Sequence, residues 1–187
     1  MIVERLSIPD VLLIKPRVLR DPRGHFVEMW RASAYEMHGV GPFVQDNVSV
    51  SRRNVLRGLH FQHPGGQGKL VNTLRGRVLD IALDVRSGSP TFGKWVGAEL
   101  SDENGFQLYI PSGFAHGFVT LSDEAVFSYK CTNYYAPETE RTVRWDDPVI
   151  AVEWSCDTPI LAPKDAAAPT LAEIPRELLP VYRAADR

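Results

Sequence analysis

The chain has 187 residues but only two cysteines, Cys131 and Cys156. Two thiols build no disulfide scaffold, and the absence of any CxxC pair removes the usual zinc signature. A strong charge of either sign is missing as well: 21 basic and 23 acidic residues leave a formal net charge of -2. Nucleic-acid binders carry a marked basic excess, so nucleic acid is excluded as a partner. No long uninterrupted apolar run occurs near the start. MIVERLSIPDVLLIKPRVL is broken by acid, proline and base, which reads as neither signal peptide nor membrane span. A cytoplasmic protein with no membrane partner is therefore expected. Repeats and low-complexity linkers are also lacking. With 44% apolar residues the chain is not a disordered one. Its length suits a single domain over 1–187, at about 100–200 residues per domain.

Lysine is scarce too. Lys15, Lys69, Lys94, Lys130 and Lys164 are the five among 21 basic residues; the rest are arginine. Base composition of the genome explains such a bias. A guanidinium also clamps phosphate or carboxylate bidentately, and composition does not separate the two readings.

What is present is punctuation. Fourteen glycines and fourteen prolines separate short runs rich in valine, isoleucine, phenylalanine and tyrosine, the pattern of many short strands. In Leu79–Val85 the odd positions are large and apolar, while the even ones are Asp80, Ala82 and Asp84. One face of that strand should meet a core and the other something polar. Further strands are expected over 12–19, 43–51, 55–62, 69–75, 95–100, 106–110, 118–121 and 125–132. A short helix over 29–38 should stop at Gly39. A second is expected around 171–179, in a tail over 159–187 packed on the barrel. The fold class is all-β: a barrel or double-sheet jelly roll with short helices near both ends.

Five stretches carry candidate chemistry. In Asn54–Gln62 (NVLRGLHFQ), Arg57 and His60 lie inside an apolar strand, where an unpaired charge is costly. Strict alternation sends them to opposite faces; a bulge at Gly58 would bring both to one pocket. The segment HPGGQGK after it reads as a hairpin turn ending at Lys69, without the spacing of a phosphate loop. Residues 105–118 contain G-x5-P-x-G-x2-H, ending on His116. This resembles the second motif of the cupin superfamily, in which a strand–turn–strand unit delivers a histidine into a barrel. The first motif of metal cupins has an H-x-H pair; here His60 and His63 stand three apart and no H-x-H occurs. A divalent site needs about three protein ligands, so no metal is expected. In 125–135, the tyrosines read as strand formers with buried rings, and Cys131 as a small core residue. In 161–169, Asp165 before three alanines reads as a helix cap.

Taken together, VLRGLHFQ, QGKLV, SPTFGKWVG, QLYIPSGFAHGFVTLSD, YKCTNYYAPETE, RWDDP and KDAAAP resemble the dTDP-4-dehydrorhamnose 3,5-epimerase family. DPRGHFVE and FVQDNVSVS fit as well, so the likeness runs from about residue 17 to 169. The resemblance implies a jelly-roll homodimer that exchanges an N-terminal segment and uses no cofactor. It implies epimerisation of dTDP-4-dehydro-6-deoxy-D-glucose at C3 and C5, giving dTDP-4-dehydro-L-rhamnose in dTDP-L-rhamnose biosynthesis. The alternative is a relative that acts at C3 or C5 alone. By the same resemblance His60 is the base and Asp165 its partner. Lys69 stabilises the enolate oxygen, and Tyr129 is the proton donor on the opposite face. Arg23, Glu28, Gln45, Asp46, Asn47, Arg57, His116, Glu140 and Lys164 fall on substrate-binding positions. The arginines would meet the diphosphate through charge-assisted bonds.

Overall fold

The computed structural model describes residues 1–184, so residues 185–187 of the expected tail lie outside the described residues. Two antiparallel sheets face each other. The larger has six strands, in the order β1 (Ile2–Arg5), β2 (Leu12–Lys15), β10 (Gln107–Ile110), β7 (Lys69–Arg75), β12 (Glu124–Cys131) and β5 (Gln45–Arg52). The smaller has five: β13 (Glu140–Thr142), β6 (Leu56–Gln62), β11 (Phe114–Thr120), β8 (Arg77–Asp84) and β9 (Trp95–Ser101). A separate two-stranded ribbon pairs β3 (Val18–Asp21) with β4 (Gly24–Val27). The architecture is the expected all-β, cupin-like jelly roll. Among the described residues no helix is long and apolar enough to cross a membrane.

Three apolar layers hold it. Val71, Val78, Ala82, Leu100, Leu108, Phe118 and Phe127 pack between the sheets. Leu56, Leu59, Phe61, Ile81, Leu83 and Val119 face outward from the smaller sheet and are covered by Trp154, Leu171, Ile174 and Leu179 of the returning chain. On the outer face of the larger sheet, Tyr35 and Val40 cover Leu12, Ile14 and Leu70. The alternation in β8 thus acquires a direction. Its odd positions lie under the tail, and its even positions point between the sheets, so the polar face of this strand is the interior one.

Several local readings change. The expected strand over 12–19 breaks at Pro16, which has no N–H for the ladder and separates β2 from β3. The helix over 29–38 shrinks to one turn, α1 (Ala32–Tyr35), followed by a 3₁₀ turn at Glu36–His38; it does stop at Gly39, whose φ of 73° is left-handed. Trp30 stays outside the helix and packs its ring against Tyr35 and Phe43. The helix around 171–179 is two 3₁₀ turns, Leu171–Glu173 and Arg176–Leu178, interrupted by Pro175. The HPGGQGK segment is not a hairpin: β6 and β7 belong to different sheets, so the loop crosses from one wall of the sandwich to the other. That crossing sets His60 and Lys69 on facing walls.

Candidate active site

A cavity of about 520 Å³ opens between the two sheets. From the smaller sheet, β6 contributes Arg57 and His60, and β11 contributes His116 and Phe118. From the larger sheet come Gln45, Asn47 and Ser49 of β5, Lys69 of β7, and Phe127 and Tyr129 of β12. Tyr135, Glu140, Lys164 and Asp165 also line it.

Arg57 and His60 share this cavity because β6 bulges at Gly58. His60 pairs with His116 and Arg57 with Phe118, so two residues, Gly58 and Leu59, stand opposite the single Gly117. Gly58 has φ 128°, and a Cβ there would sit 2.5 Å from the Gly117 Cα. Only glycine permits this approach, and the extra residue returns His60 to the interior face.

His60 Nε2 lies 2.7 Å from Asp165 Oδ1. The second carboxylate oxygen accepts the Gly58 backbone N–H at 3.4 Å. Burial acts to raise the Asp165 pKa, but the His60 bond and the Gly58 N–H outweigh it and hold the carboxyl below its ordinary value. Asp165 is therefore ionised at neutral pH. It fixes the proton of neutral His60 on Nε2 and leaves the basic lone pair on Nδ1. Asp165 sits within α2 (Pro163–Ala166), and its side chain makes no capping bond. The helix-cap reading is thus corrected: the carboxylate leaves its own backbone to meet a histidine 105 residues away in sequence.

Lys69 opens β7 on the facing wall. Desolvation pushes its ammonium pKa down, and Asp80 and Glu140 offset part of that. On the same wall, burial raises the Tyr129 phenol above 10.0. The phenol therefore keeps its proton at neutral pH. Cys131 is fully buried, and burial raises its thiol, in keeping with a core residue.

His116 Nε2 is hydrogen-bonded to Asp80 Oδ2 at 2.9 Å. Burial lowers its imidazole pKa despite that carboxylate, so the ring is neutral. Asp80, buried behind His116, is a partner of a cavity residue that motif reasoning did not single out. The alternation in β8 was the available signal, since it set Asp80 on a polar face.

At the rim, Glu140 Oε2 accepts from Lys164 Nζ at 2.7 Å and from the Tyr135 hydroxyl at 3.3 Å. Gln45 accepts the Tyr135 backbone N–H at 2.9 Å and donates to Asn47 Oδ1 at 3.1 Å. Arg57 donates Nε–H to Ser51 Oγ at 3.1 Å. Three expected binding residues stand outside this cavity. Arg23 is at the ribbon tip beside Asp21, Glu28 pairs with Arg31, and Asp46 pairs with Lys130 on the outward face of β5. Among the described residues no group of three or more His, Cys, Asp or Glu side chains is disposed to hold a metal ion.

The family model described as dTDP-4-dehydrorhamnose 3,5-epimerase matches residues 5–173. The dTDP-4-dehydrorhamnose 3,5-epimerase of Salmonella typhimurium is 53% identical over 176 residues, covering 91% of this chain and 96% of that protein. A Streptomyces niveus protein named dTDP-4-dehydrorhamnose 3-epimerase is 41% identical over 181 residues, covering 95% of this chain and 87% of its own. The crystal structure of the Legionella pneumophila 3,5-epimerase in complex with dTDP-4-keto-L-rhamnose superposes with a TM-score of 0.94 at 50% identity, covering 97% of this chain and 98% of that one. With a family model across most of its length and relatives at half identity, this chain belongs to the dTDP-4-dehydrorhamnose 3,5-epimerase family and is an isomerase of the epimerase type.

Proposed function

We propose that this chain inverts C3 and C5 of dTDP-4-dehydro-6-deoxy-D-glucose, without a cofactor, through an enolate. The observation that carries the reading is the placement of His60 and Tyr129 on opposite walls of one cavity. A ketone at C4 acidifies the hydrogens on C3 and C5. Inversion needs a base on one face of the sugar and a proton donor on the other. His60, held by Asp165, takes the proton; an imidazole oriented by a carboxylate suits a general base. Lys69 stabilises the enolate oxygen, and a preorganised charge at that atom is the kind of interaction that lowers such barriers most. Tyr129 then returns a proton to the opposite face. In this reading Gln45, Asn47, Arg57, His116, Glu140 and Lys164 hold the substrate, with Arg57 near its diphosphate.

Arg23, Glu28 and Asp46 fit the same reading if the protein works as a homodimer with an exchanged N-terminal segment. The β3–β4 ribbon pairs only with itself among the described residues and exposes Leu19 and Phe26. The outward face of β5 exposes Val48 and Val50. A second copy seated there would bury these side chains and bring the ribbon to its neighbour's cavity. The whole chain then acts as one catalytic jelly-roll unit per subunit.

The test is turnover in deuterated water with mass and NMR analysis of the sugar. Label at both C3 and C5 is expected. Label at one carbon alone would establish the single-site reaction instead, the activity named for the Streptomyces niveus relative. His60→Ala should abolish exchange with the fold intact. Tyr129→Phe should slow net inversion more than the first deprotonation.

A further inference from the structure

Asp165 reaches His60 from a segment with little regular structure, held by the Lys164–Glu140 ion pair and by the chain on either side. The helix α2 spans four residues and has no side-chain cap. A helix of one turn is not stable on its own. After Asp165 come three alanines, whose methyl groups grip nothing polar. Besides that ion pair, the position of the carboxylate depends on what anchors the chain on either side.

Upstream, Ile160 is tied to the start of the smaller sheet through backbone bonds to Asn54 and Leu56, at 2.7 and 3.0 Å. Downstream, the Pro169 carbonyl accepts the Arg144 N–H at 2.8 Å. Leu171 also packs in the outer apolar layer, and its backbone is tied by a side chain. Asp147, 3% exposed, accepts the Leu171 N–H on Oδ2 at 2.8 Å. Its Oδ1 accepts the Val149 and Ile150 N–H groups at 2.9 and 3.3 Å. No cation pairs with it among the described residues; the neighbouring Arg144 pairs with Asp146 instead. A buried carboxylate shared by three backbone amides joins two pieces of chain and takes part in no proton transfer.

We propose that Asp147 is a positioning residue for the His60–Asp165 pair. It locks residue 171 to the 144–150 turn and so holds the strap carrying Lys164 and Asp165 against β6. The inference rests on the reading of His60 as the base. Small displacements of a positioned group cost rate steeply, so loss of this tie acts on kcat with the barrel still folded. Lys164 rides on the same strap, so KM moves as well, and kcat is the diagnostic quantity.

The experiment compares wild type, Asp147→Ala, Asp165→Ala and the double variant by kcat. Asp147→Ala should lower kcat about tenfold or more, and it should cost nothing further once Asp165 is gone, since residues acting through one contact are non-additive. A second measurement reads geometry without turnover: the NMR resonance of the hydrogen-bonded Nε2–H of each histidine. The His60 resonance should vanish in Asp147→Ala, whereas that of His116, bonded to Asp80, should remain. Asp147→Asn keeps the shape and one accepting oxygen; it should show the same pattern with a smaller kcat loss, and it carries the test if the alanine variant does not fold. Unchanged kcat, an equal loss in the Asp165→Ala background, or joint loss of both resonances would overturn the proposal. Wild-type kcat in Asp165→Ala would instead overturn the base reading, a separate outcome.

Discussion

Asp80 and Asp84 lie on the same interior face of β8, four residues apart, one in mid-strand and one at the strand's end. At the strand's end, Asp84 is saturated. It accepts the Arg86 backbone N–H, Nε–H and Nη2–H at 2.9, 3.0 and 2.7 Å, and the Ser89 and Thr91 hydroxyls at 2.6 Å each. Arg86 in turn reaches Asp10 at 2.8 Å and lies between the rings of Phe114 and Tyr182. Backbone bonds from Ser87 to Pro180 and Tyr182 pin the tail over this end. In mid-strand, Asp80 has one partner, His116, and its Oδ1 is buried with no hydrogen bond among the described residues.

The consequences for charge are opposite. Burial works against ionisation of both carboxylates. For Asp84, Arg86, Ser89 and Thr91 outweigh it, and the pKa falls below 3.8. For Asp80, burial prevails over His116 and Lys69, and the pKa rises. Identical residues on one strand face thus become a structural rivet or an undersatisfied buried group according to how many donors surround them. A saturated carboxylate stabilises the fold. An undersatisfied one costs stability and keeps its field available to neighbours, here His116 and Lys69.

The largest effect expected from this contrast is on stability. Asp84→Ala leaves the Arg86 guanidinium buried with only Asp10 beside it, and removal of one partner from a buried pair costs about 3–5 kcal/mol. Denaturant unfolding should show that loss; a value near zero would break the contrast. The wild-type contribution of Asp84 is present above its unfolded pKa and is lost as pH falls through its lower folded value. Asp80→Asn should behave in the opposite sense. The ionised Asp80 is a net cost above its raised folded pKa, so the amide removes that cost, and stability should hold or rise at neutral pH. Its kcat/KM should nevertheless fall about tenfold, in line with the loss of outer groups that orient site residues. A variant with full activity would show that Asp80 is only a packing residue.

The smallest effect is a pH shift. In the proposed mechanism Lys69 acts as a cation beside the enolate; burial pushes its ammonium pKa down and pushes the Tyr129 phenol up. Because burial lowers one and raises the other, the alkaline limb of kcat/KM is expected to follow Lys69. Lys69→Arg should move that limb to higher pH, since a guanidinium stays charged. Tyr129→Phe should leave its position unchanged, and movement there would reverse the assignment.

Much of the site was legible in the chain. VLRGLHFQ placed an arginine and a histidine in an apolar strand and a glycine where the pleat had to break, and Gly58 provides that bulge. The strand runs 69–75 and 125–132 came within a residue of β7 and β12, because β-branched and aromatic runs between turn residues are local signals. Helices were less legible. The stretches 29–38 and 171–179 have a helix-like composition, yet Trp30 is drawn into a ring cluster and Pro175 interrupts the second. Asp165 illustrates the limit most clearly, since its local setting spoke for a cap and its partner lay 105 residues away.

By itself the sequence determined the class of the protein: an all-β chain of short strands, with its reactive side chains confined to a few segments, and a family likeness carried by those segments. That information is local, residing in periodicity, turn residues and short motifs. Only the tertiary structure decided which sheet each segment joined. It set His60 opposite Lys69 and Tyr129, turned the polar face of β8 inward, and gave Asp80 and Asp84 different surroundings. Such outcomes depend on the pairing of strands distant in sequence and on the burial that follows, which no local pattern encodes.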